Sequence, residues 1–164
     1  MAVFAYGRTM SPTLIDSDLD YHPIRLEDIR ATTGDFTYVA TVGGLQVARA
    51  GLYQVSAQVN WYGGTRLDRA IGWHAIRVRV WGPLLDGAVA DDRVAQINSV
   101  NTAVVQSGFG FQRLNTGSRL WIEAAHYSLG SSNVGASLAV LLVFPAESNE
   151  GDDATEDLGP FNQP

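Results

Sequence analysis

The sequence predicts an all-β fold, an antiparallel sandwich, on three observations. The stretch Gly51–Tyr62 alternates apolar and polar residues with the period of two expected of a half-buried strand. From Phe36 onward, short strand-like stretches are separated by turn residues. No stretch after Phe36 keeps a helical period, and no segment of fixed length repeats. With 46% hydrophobic and 17% charged residues, the 164-residue chain is expected to fold around a single core.

The first 35 residues follow neither the strand period nor the helical period, and Pro12 and Pro23 interrupt any helix. They are rich in large apolar side chains, which are expected to pack on the chain's own domain or on a partner. We therefore delimit residues 1–35 as an N-terminal arm and attachment segment, with an ordinary folded lead-in to the first strand as the alternative. The candidate attachment residues in it are Val3, Phe4, Tyr6, Leu14 and Ile15.

Residues 36–146 are predicted to form the sandwich itself. The predicted strands are 36–42, 45–49, 51–62, 73–81, 93–100, 103–114, 119–127 and 136–144. Gly108 and Gly110 lie on the opposite face of their strand from Phe109 and Phe111, which indicates close approach of another backbone or subunit there. The last strand is apolar on both faces, as expected in the middle of a buried sheet.

Residues 147–164 are predicted to be an acidic C-terminal tail. They hold six of the 17 acidic residues, so that 11 acids and 11 arginines remain before them and the tail accounts for the net charge of −6. Leu158 and Phe161 are its apolar residues suited to docking on a neighbour. A neutral body without clustered positive charge does not match a nucleic-acid-binding surface.

The sequence argues against disulfides, thiolate metal sites, a secretory signal and a membrane-spanning helix. The chain has no cysteine, which excludes disulfides and thiolate metal sites. We expect no secretory signal, because the first residues lack a basic flank followed by a long apolar run. The longest apolar run, residues 138–145, is shorter than the roughly 20 residues that a membrane-spanning helix needs.

No motif predicts catalysis, a metal site or a cofactor, and we predict that the protein is not an enzyme. The histidines His22, His74 and His126 lack metal-binding spacing and are interpreted as structural. Asp16, Asp18 and Asp20 alternate as at the start of a calcium loop, but the glycine and glutamate that complete such a loop are missing. Ser107 does not lie in a Gly-x-Ser-x-Gly elbow.

Three segments carry a resemblance to a known family. They are GLYQVSAQVNW, SGFGFQRLNTGSRLWIEA and LLVFPA, and their order and spacing resemble the trimeric jelly roll of tumour necrosis factor and the globular head of complement's first component. The resemblance implies a jelly-roll homotrimer in which the sheet containing Gly51–Tyr62 faces the threefold axis. The absence of a collagen-like stalk, a signal sequence and cysteine argues against a secreted cytokine-like or defence molecule.

The polar face of Gly51–Tyr62 carries no charge, which suits a partly hydrated subunit interface. A last strand that is apolar on both faces also needs a cover, and a trimer supplies one. The predicted trimer-interface residues are Gln54, Ser56, Gln58, Asn60, Gly108, Gly110 and Leu142.

These features favour a structural virion protein of a bacteriophage. We interpret the chain as a trimeric capsid decoration or cement protein, assembled in the host bacterial cytoplasm, that binds the major capsid protein or another virion protein through its N-terminal arm. The alternative is a receptor- or glycan-binding tip domain of a phage fibre, using loops 63–68, 83–92 and 128–135. Aromatic residues considered for such binding are Trp61, Tyr62, Trp73, Trp81, Trp121 and Tyr127. A third possibility is a bacterial cytoplasmic or spore-surface assembly protein.

Overall fold

The computed structural model describes residues 1–62, 73–82, 85–94, 104–127 and 130–146. These residues form twelve strands: β1 (Phe4–Arg8), β2 (Thr13–Ile15), β3 (His22–Ile24), β4 (Asp28–Ala31), β5 (Phe36–Val39), β6 (Gly44–Val47), β7 (Gly51–Tyr62), β8 (Trp73–Gly82), β9 (Leu85–Val94), β10 (Val104–Leu114), β11 (Arg119–Tyr127) and β12 (Ser132–Pro145). The described residues include no helix, and therefore none that could cross a membrane. The predicted all-β class is confirmed.

The strands form two six-stranded sheets that pack face to face. Sheet A has the order β10-β7-β12-β1-β4, with β2 also paired to β12. Sheet B has the order β5-β6-β11-β8-β9, with β3 also paired to β11. Every described pairing is antiparallel. Strands adjacent in the chain often lie in different sheets, and this exchange gives the predicted jelly roll.

Strand β7 lies between β10 and β12 and forms the longest ladders of sheet A with them. Its odd-numbered residues, from Tyr53 to Trp61, are buried, and its even-numbered residues are more exposed. The buried side meets Val78, Val80, Leu120 and other apolar residues of sheet B in one core. The alternation in the sequence therefore predicts correctly which side of β7 faces the core.

The predicted N-terminal arm needs correction, because residues 4–31 contribute four strands to the two sheets. Strand β1 lies between β12 and β4, and β3 pairs with β11. Ile15, Ile24 and Leu26 are at most 1% exposed and belong to the core. The strand period of β1 is hidden in the sequence because its inward residues are only Ala5 and Gly7. An ideal Cβ on Gly7 would lie 2.9 Å from Leu26 Cδ1, so a small residue is needed there.

Two other predicted boundaries differ from the structure. Strand β9 occupies residues that the sequence assigns mainly to a loop, because its acidic composition resembles that of a turn. Strand β12 begins at Ser132, four residues earlier than predicted, since the polar Ser132 and Asn133 pair with Ile15 and Leu14 of β2. The predicted strand at 93–100 lies mostly outside the described residues.

Candidate functional site

The face of sheet A that points away from the core is the candidate functional site. In an antiparallel pair, directly opposite residues lie on the same face. The register therefore aligns Phe109 of β10, Ser56 of β7, Ala139 of β12 and Tyr6 of β1 in one row across the sheet. The row brings together residues that are more than 130 positions apart in the chain.

A second row runs parallel to the first along the same face. It aligns Phe111, Gln54, Leu141 and Phe4 on the same four strands. Phe109 and Phe111 are 68% and 57% exposed, and their rings meet edge to face with centroids 6.4 Å apart. Two neighbouring phenylalanines are thus left largely in water when the chain is alone.

The exposed apolar residues of the molecule concentrate on this outer face, which we call the apolar face. Of the 14 large hydrophobic residues that are exposed in the described chain, nine lie here. They are Phe4, Tyr6, Leu14, Tyr62, Val105, Phe109, Phe111, Leu141 and Phe144. Exposed apolar residues grouped on one face typically mark an interaction site.

Polar groups on β7, β10 and β12 of the apolar face are almost all uncharged, whereas β1 and β4 add the charged Arg8, Asp28 and Arg30 at one side of the face. Among the described outward residues of β7, β10 and β12, only Arg113 carries a charge. A shallow depression of about 380 Å³ is lined by the polar side chains of Ser56, Gln58, Ser107 and Ser137, with Tyr6 and Phe109 beside them. A larger groove of about 730 Å³ lies at the end of the sheet and includes Leu52, Arg113 and Phe144.

The structure divides the predicted trimer-interface residues between the two faces of sheet A. Gln54, Ser56, Gln58 and Asn60 lie on the apolar face, opposite Phe111, Phe109, Ser107 and Val105 of β10 respectively. Their grouping on one face agrees with the strand period of β7.

Gly108, Gly110 and Leu142 lie on the other side, and their assignment to the same surface needs correction. The glycines are opposite Ala57 and Val55 on the core side of the sheet, and Leu142 packs against the core. The phenylalanines between and beside the glycines, which the sequence left unassigned, occupy the outer face instead. The alternation of glycine and phenylalanine was visible in the sequence, but it does not show which of the two faces inward.

The candidate attachment residues of the first segment are divided between the apolar face and the interior. Phe4, Tyr6 and Leu14 lie on the apolar face. Val3 is half-buried, and its carbonyl accepts a hydrogen bond of 2.9 Å from the Leu142 amide. Ile15 is 1% exposed and cannot contact a partner without leaving the core, which corrects its assignment. The remaining candidates, Leu158 and Phe161, lie outside the described residues.

Two of the three histidines, which are far apart in the sequence, meet inside the sandwich. His74 of β8 and His126 of β11 are directly paired across sheet B, and their ring centroids are 5.9 Å apart. Trp61 of β7 stacks on His74 from the opposite sheet, with centroids 4.0 Å apart and an interplanar angle of 8°. Both histidines are at most 1% exposed. Burial is the largest cause lowering their pKa values, to about 3 for His74.

Hydrogen bonds connect this cluster, which lies on β7, β8 and β11, to β10 and β2. Trp61 Nε1 donates to Gln106 Oε1 at 2.6 Å, and Gln106 Nε2 donates to the His74 carbonyl at 3.1 Å. His126 Nε2 lies 2.9 Å from the Ile15 carbonyl, which can only accept, so this nitrogen carries a proton. No group of three potential metal ligands occurs among the described residues. The arrangement fits the structural role predicted for both histidines.

The aromatic residues considered for glycan binding do not share one surface. Trp61 is buried, Tyr62 is on the apolar face, and Trp81 is 46% exposed on sheet B. Trp121 is half-buried and donates to Glu123 Oε1 at 2.8 Å. The side chains of Trp73 and Tyr127 lie outside the described part of the chain, as do loop residues 63–68, 83–84 and 128–129.

Solved structures with the same fold are found, whereas no family model and no curated protein sequence match the chain. The globular domain of zebrafish complement 1qA has 16% identity and a TM-score of 0.59, covering 87% of this chain and 98% of that one. Murine APRIL at pH 5.0 has 11% identity and a TM-score of 0.64, with coverages of 87% and 100%. Eiger TNF from S. frugiperda has 12% identity and a TM-score of 0.56, with coverages of 93% and 98%.

These similarities extend over nearly the whole of each matched domain. Because the identities are low, they show the fold alone. The class defined by this fold is the jelly roll of the tumour necrosis factor and complement 1q type, as the resemblance in the sequence implies.

Proposed function

We propose that the protein is a non-catalytic structural module that functions as a homotrimer associated through the apolar face of sheet A. The observation that carries the proposal is the placement of Phe109 and Phe111, both more than half exposed, beside an uncharged strip of β7. Removing apolar surface from water contributes about 25 cal/mol per Å². Burial of this face against further copies therefore stabilises an assembly.

The composition of the apolar face supports a subunit interface over a substrate site. Interface cores are enriched in aromatic residues and depleted of charge, and they tolerate hydrogen-bonding groups that retain bridging water. The rows through Ser56 and Gln54 combine these features. Closed cyclic symmetry is the usual outcome for identical subunits, and the trimer is the number that the resemblance implies.

The finer part of the proposal is a bacteriophage virion protein that decorates or cements the capsid. It is supported by the compact fold, by a sequence in which no motif predicts catalysis, and by a neutral body followed by an acidic tail. The proposed location is the virion, and the proposed partner is the major capsid protein or another virion protein.

The structure changes which residues are best suited to attachment. The first segment is built into both sheets, and Phe4 and Tyr6 lie within the face assigned to self-association. We therefore assign shell binding to the C-terminal tail, with Leu158 and Phe161 as its apolar contacts. Three tails on one trimer would strengthen a weak attachment by raising the effective concentration of each after the first has bound.

Two measurements test the trimer and the capsid attachment separately. Sedimentation equilibrium in dilute buffer is expected to give three times the chain mass, and a folded single copy would exclude the trimer. Co-sedimentation with preformed capsid shells is expected to be lost when the chain is cut after Ala146. Unchanged binding of that truncated trimer would exclude the tail as the attachment element.

The alternative of a glycan-binding fibre tip rests on one exposed aromatic residue of sheet B. The ring centroid of Trp81 lies 5.2 Å from the Arg119 guanidinium carbon, and the indole is nearly half exposed. An aromatic ring beside hydrogen-bond donors suits a sugar ring. Selective binding of the trimer to a glycan array, abolished by Trp81→Ala, would favour this alternative over capsid decoration.

A further inference from the structure

The groove of about 730 Å³ at the end of sheet A lies where the C-terminal tail leaves the body. Its lining includes Pro145 and Ala146, which end the last described range of the chain. The Ala146 amide donates a hydrogen bond of 3.0 Å to the Ala50 carbonyl, so the backbone is still held beside β7 at this point. The groove is therefore next to the residue from which the tail continues, and its volume is within the range of about 300–1,000 Å³ that is usual for binding sites.

The strand register gives the groove a cationic side and an apolar side. Arg113 of β10 and Phe144 of β12 are both opposite Leu52 of β7, so the three residues form one row across the outer face of sheet A. Phe144 is 64% exposed, and Leu52 is half-buried. Because neighbouring strands are about 4.8 Å apart, roughly 10 Å separates the two ends of the row. A segment that combines negative charge with small or apolar residues fits this groove.

Arg113 is the cation that an anionic segment would meet there. It forms no ion pair with another described residue. Arg49, at the same end of the sandwich, is already paired with Asp35 at 3.1 Å. The charged outward residues of β1 and β4 lie on the far side of β12. Within the described chain, a carboxylate in the groove would therefore face one unpaired cation and no carboxylate on β7, β10 or β12.

We propose that the first part of the acidic tail, residues 147–153, docks in this groove of its own chain with Arg113 as its ionic partner. This stretch holds four of the six acidic residues of the tail and no basic residue. An extended residue spans about 3.3 Å, so Glu150, four residues after Ala146, can cross the roughly 10 Å from β12 to Arg113. A short tether keeps the segment at an effective concentration on the order of 1 mM, at which weak contacts are populated.

Docking of the tail deepens the proposed function, and this last step rests on it. Residues 154–164 follow the docked stretch and carry Leu158 and Phe161, the residues assigned to shell binding. A threefold axis places equivalent atoms of three subunits at one level along the axis. The three grooves would therefore direct the three tails from the same end of the trimer, where one shell surface can bind them together.

Disulfide trapping in the full chain tests the proposal, because the chain has no cysteine of its own. Asn115→Cys, at an exposed residue that lines the groove, is combined with Ala154→Cys, and the rate of disulfide formation is measured. Thr37→Cys with Ala154→Cys is the matched control, since Thr37 is exposed on β5 of sheet B and does not line the groove. The groove pair is expected to close at least about tenfold faster than the control pair. Arg113→Gln should slow it by about threefold.

Equal rates for the two cysteine pairs would overturn the proposal, since a tail that samples the surface freely reaches both positions. A groove pair that closes at the same rate with Arg113→Gln would overturn the ionic contact, and disulfides found only between chains would overturn docking on the tail's own body. The substituted residues of the body are exposed, so the variants should fold. The trapping rate involves neither capsid shells nor the mass of the assembly, so its failure leaves the trimer and shell binding to their own tests.

Discussion

Phe109 lies directly opposite Ser56 across β10 and β7, on the side of sheet A that points away from the core. The pairing places one of the most exposed aromatic rings of the described chain beside a small polar side chain. Ser56 leaves space next to the ring, and the depression of about 380 Å³ includes both residues. The relationship makes β7 and β10 the strands on which self-association can be tested most directly.

Replacing both phenylalanines of β10 should dissociate the proposed trimer. Phe109→Ser with Phe111→Ser removes exposed apolar area without changing the core, so the monomer should remain folded. Sedimentation equilibrium is expected to show at least a tenfold weaker association, since losing even one buried aromatic contact costs on the order of 2 kcal/mol. Tyr38→Ser, at an exposed aromatic on sheet B, is the control and should leave the mass unchanged. Equal association of the double variant and wild type would exclude the apolar face as the interface.

Gly44→Ala should destabilise the sandwich strongly. A Cβ on Gly44 would run into the Leu120 carbonyl oxygen and lie 2.8 Å from Trp121 Cβ, at the contact between β6 and β11. Backbone cannot move aside as a flexible side chain can, and the expected loss is about 3 kcal/mol in urea unfolding. Gly34→Asn is the matched control because a Cβ on Gly34 would meet no described atom within 4 Å, and its φ of 81° is one that asparagine tolerates. A similar effect of both substitutions would contradict the steric explanation.

Gln106→Leu should destabilise the fold by about 1–3 kcal/mol, because Trp61 Nε1 would lose its acceptor inside the core. The same substitution at Gln112 serves as the control. Gln112 is on the same strand, but its side chain donates to the adjacent Arg113 carbonyl at 3.3 Å, a contact in an exposed setting. Chemical denaturation of the two variants should therefore differ by at least about 1 kcal/mol. A Gln112→Leu effect as large as that of Gln106→Leu would argue against the buried network as the cause.

Global stability should fall between pH 7 and pH 5 because of His74. The pKa of His74 is about 3 in the folded chain and near 6.5 when the side chain is in water, so the unfolded chain binds more protons between these values. The contribution of His74 to the free energy of unfolding is therefore fully present above about pH 6.5. It declines as the pH falls, by roughly 2 kcal/mol at pH 5. Urea unfolding at the two pH values measures the difference. His74→Phe should reduce it, with a remainder from His126, whose pKa burial also lowers. An undiminished difference in that variant would assign the effect to other groups.

Glu123→Ala should cost more stability than the equivalent change in an exposed ion pair. The Glu123 side chain is 12% exposed, and it accepts bonds from Arg77 Nε at 2.6 Å and Trp121 Nε1 at 2.8 Å. Its removal leaves Arg77 without this partner in a partly buried site, with an expected cost of about 2 kcal/mol. Asp28→Ala breaks the more exposed Arg8–Asp28 pair and should cost below about 1 kcal/mol. Thermal unfolding of both variants tests this order.

The amino-acid pattern was enough to predict the fold class and the side of β7 that faces the core. Alternation along β7 depends only on the two-residue period of a strand, and glycine and proline limit where strands end. The resemblance of three short segments was sufficient to predict the jelly roll. Strand alternation and turn residues involve neighbouring positions, and the resemblance depends only on the order of such segments. A single sequence is therefore enough to recognise them.

Which distant residues share a surface depends on how the two sheets pack and pair. The strand period separates Phe109 from Gly108, but only the packing of sheet A on sheet B shows that the glycine side faces the core. In the first segment, the inward residues of β1 are Ala5 and Gly7, and their small size conceals the period. His74 and His126 meet because β8 and β11 pair antiparallel, a register set by contacts across the whole sheet and not by any neighbouring residue.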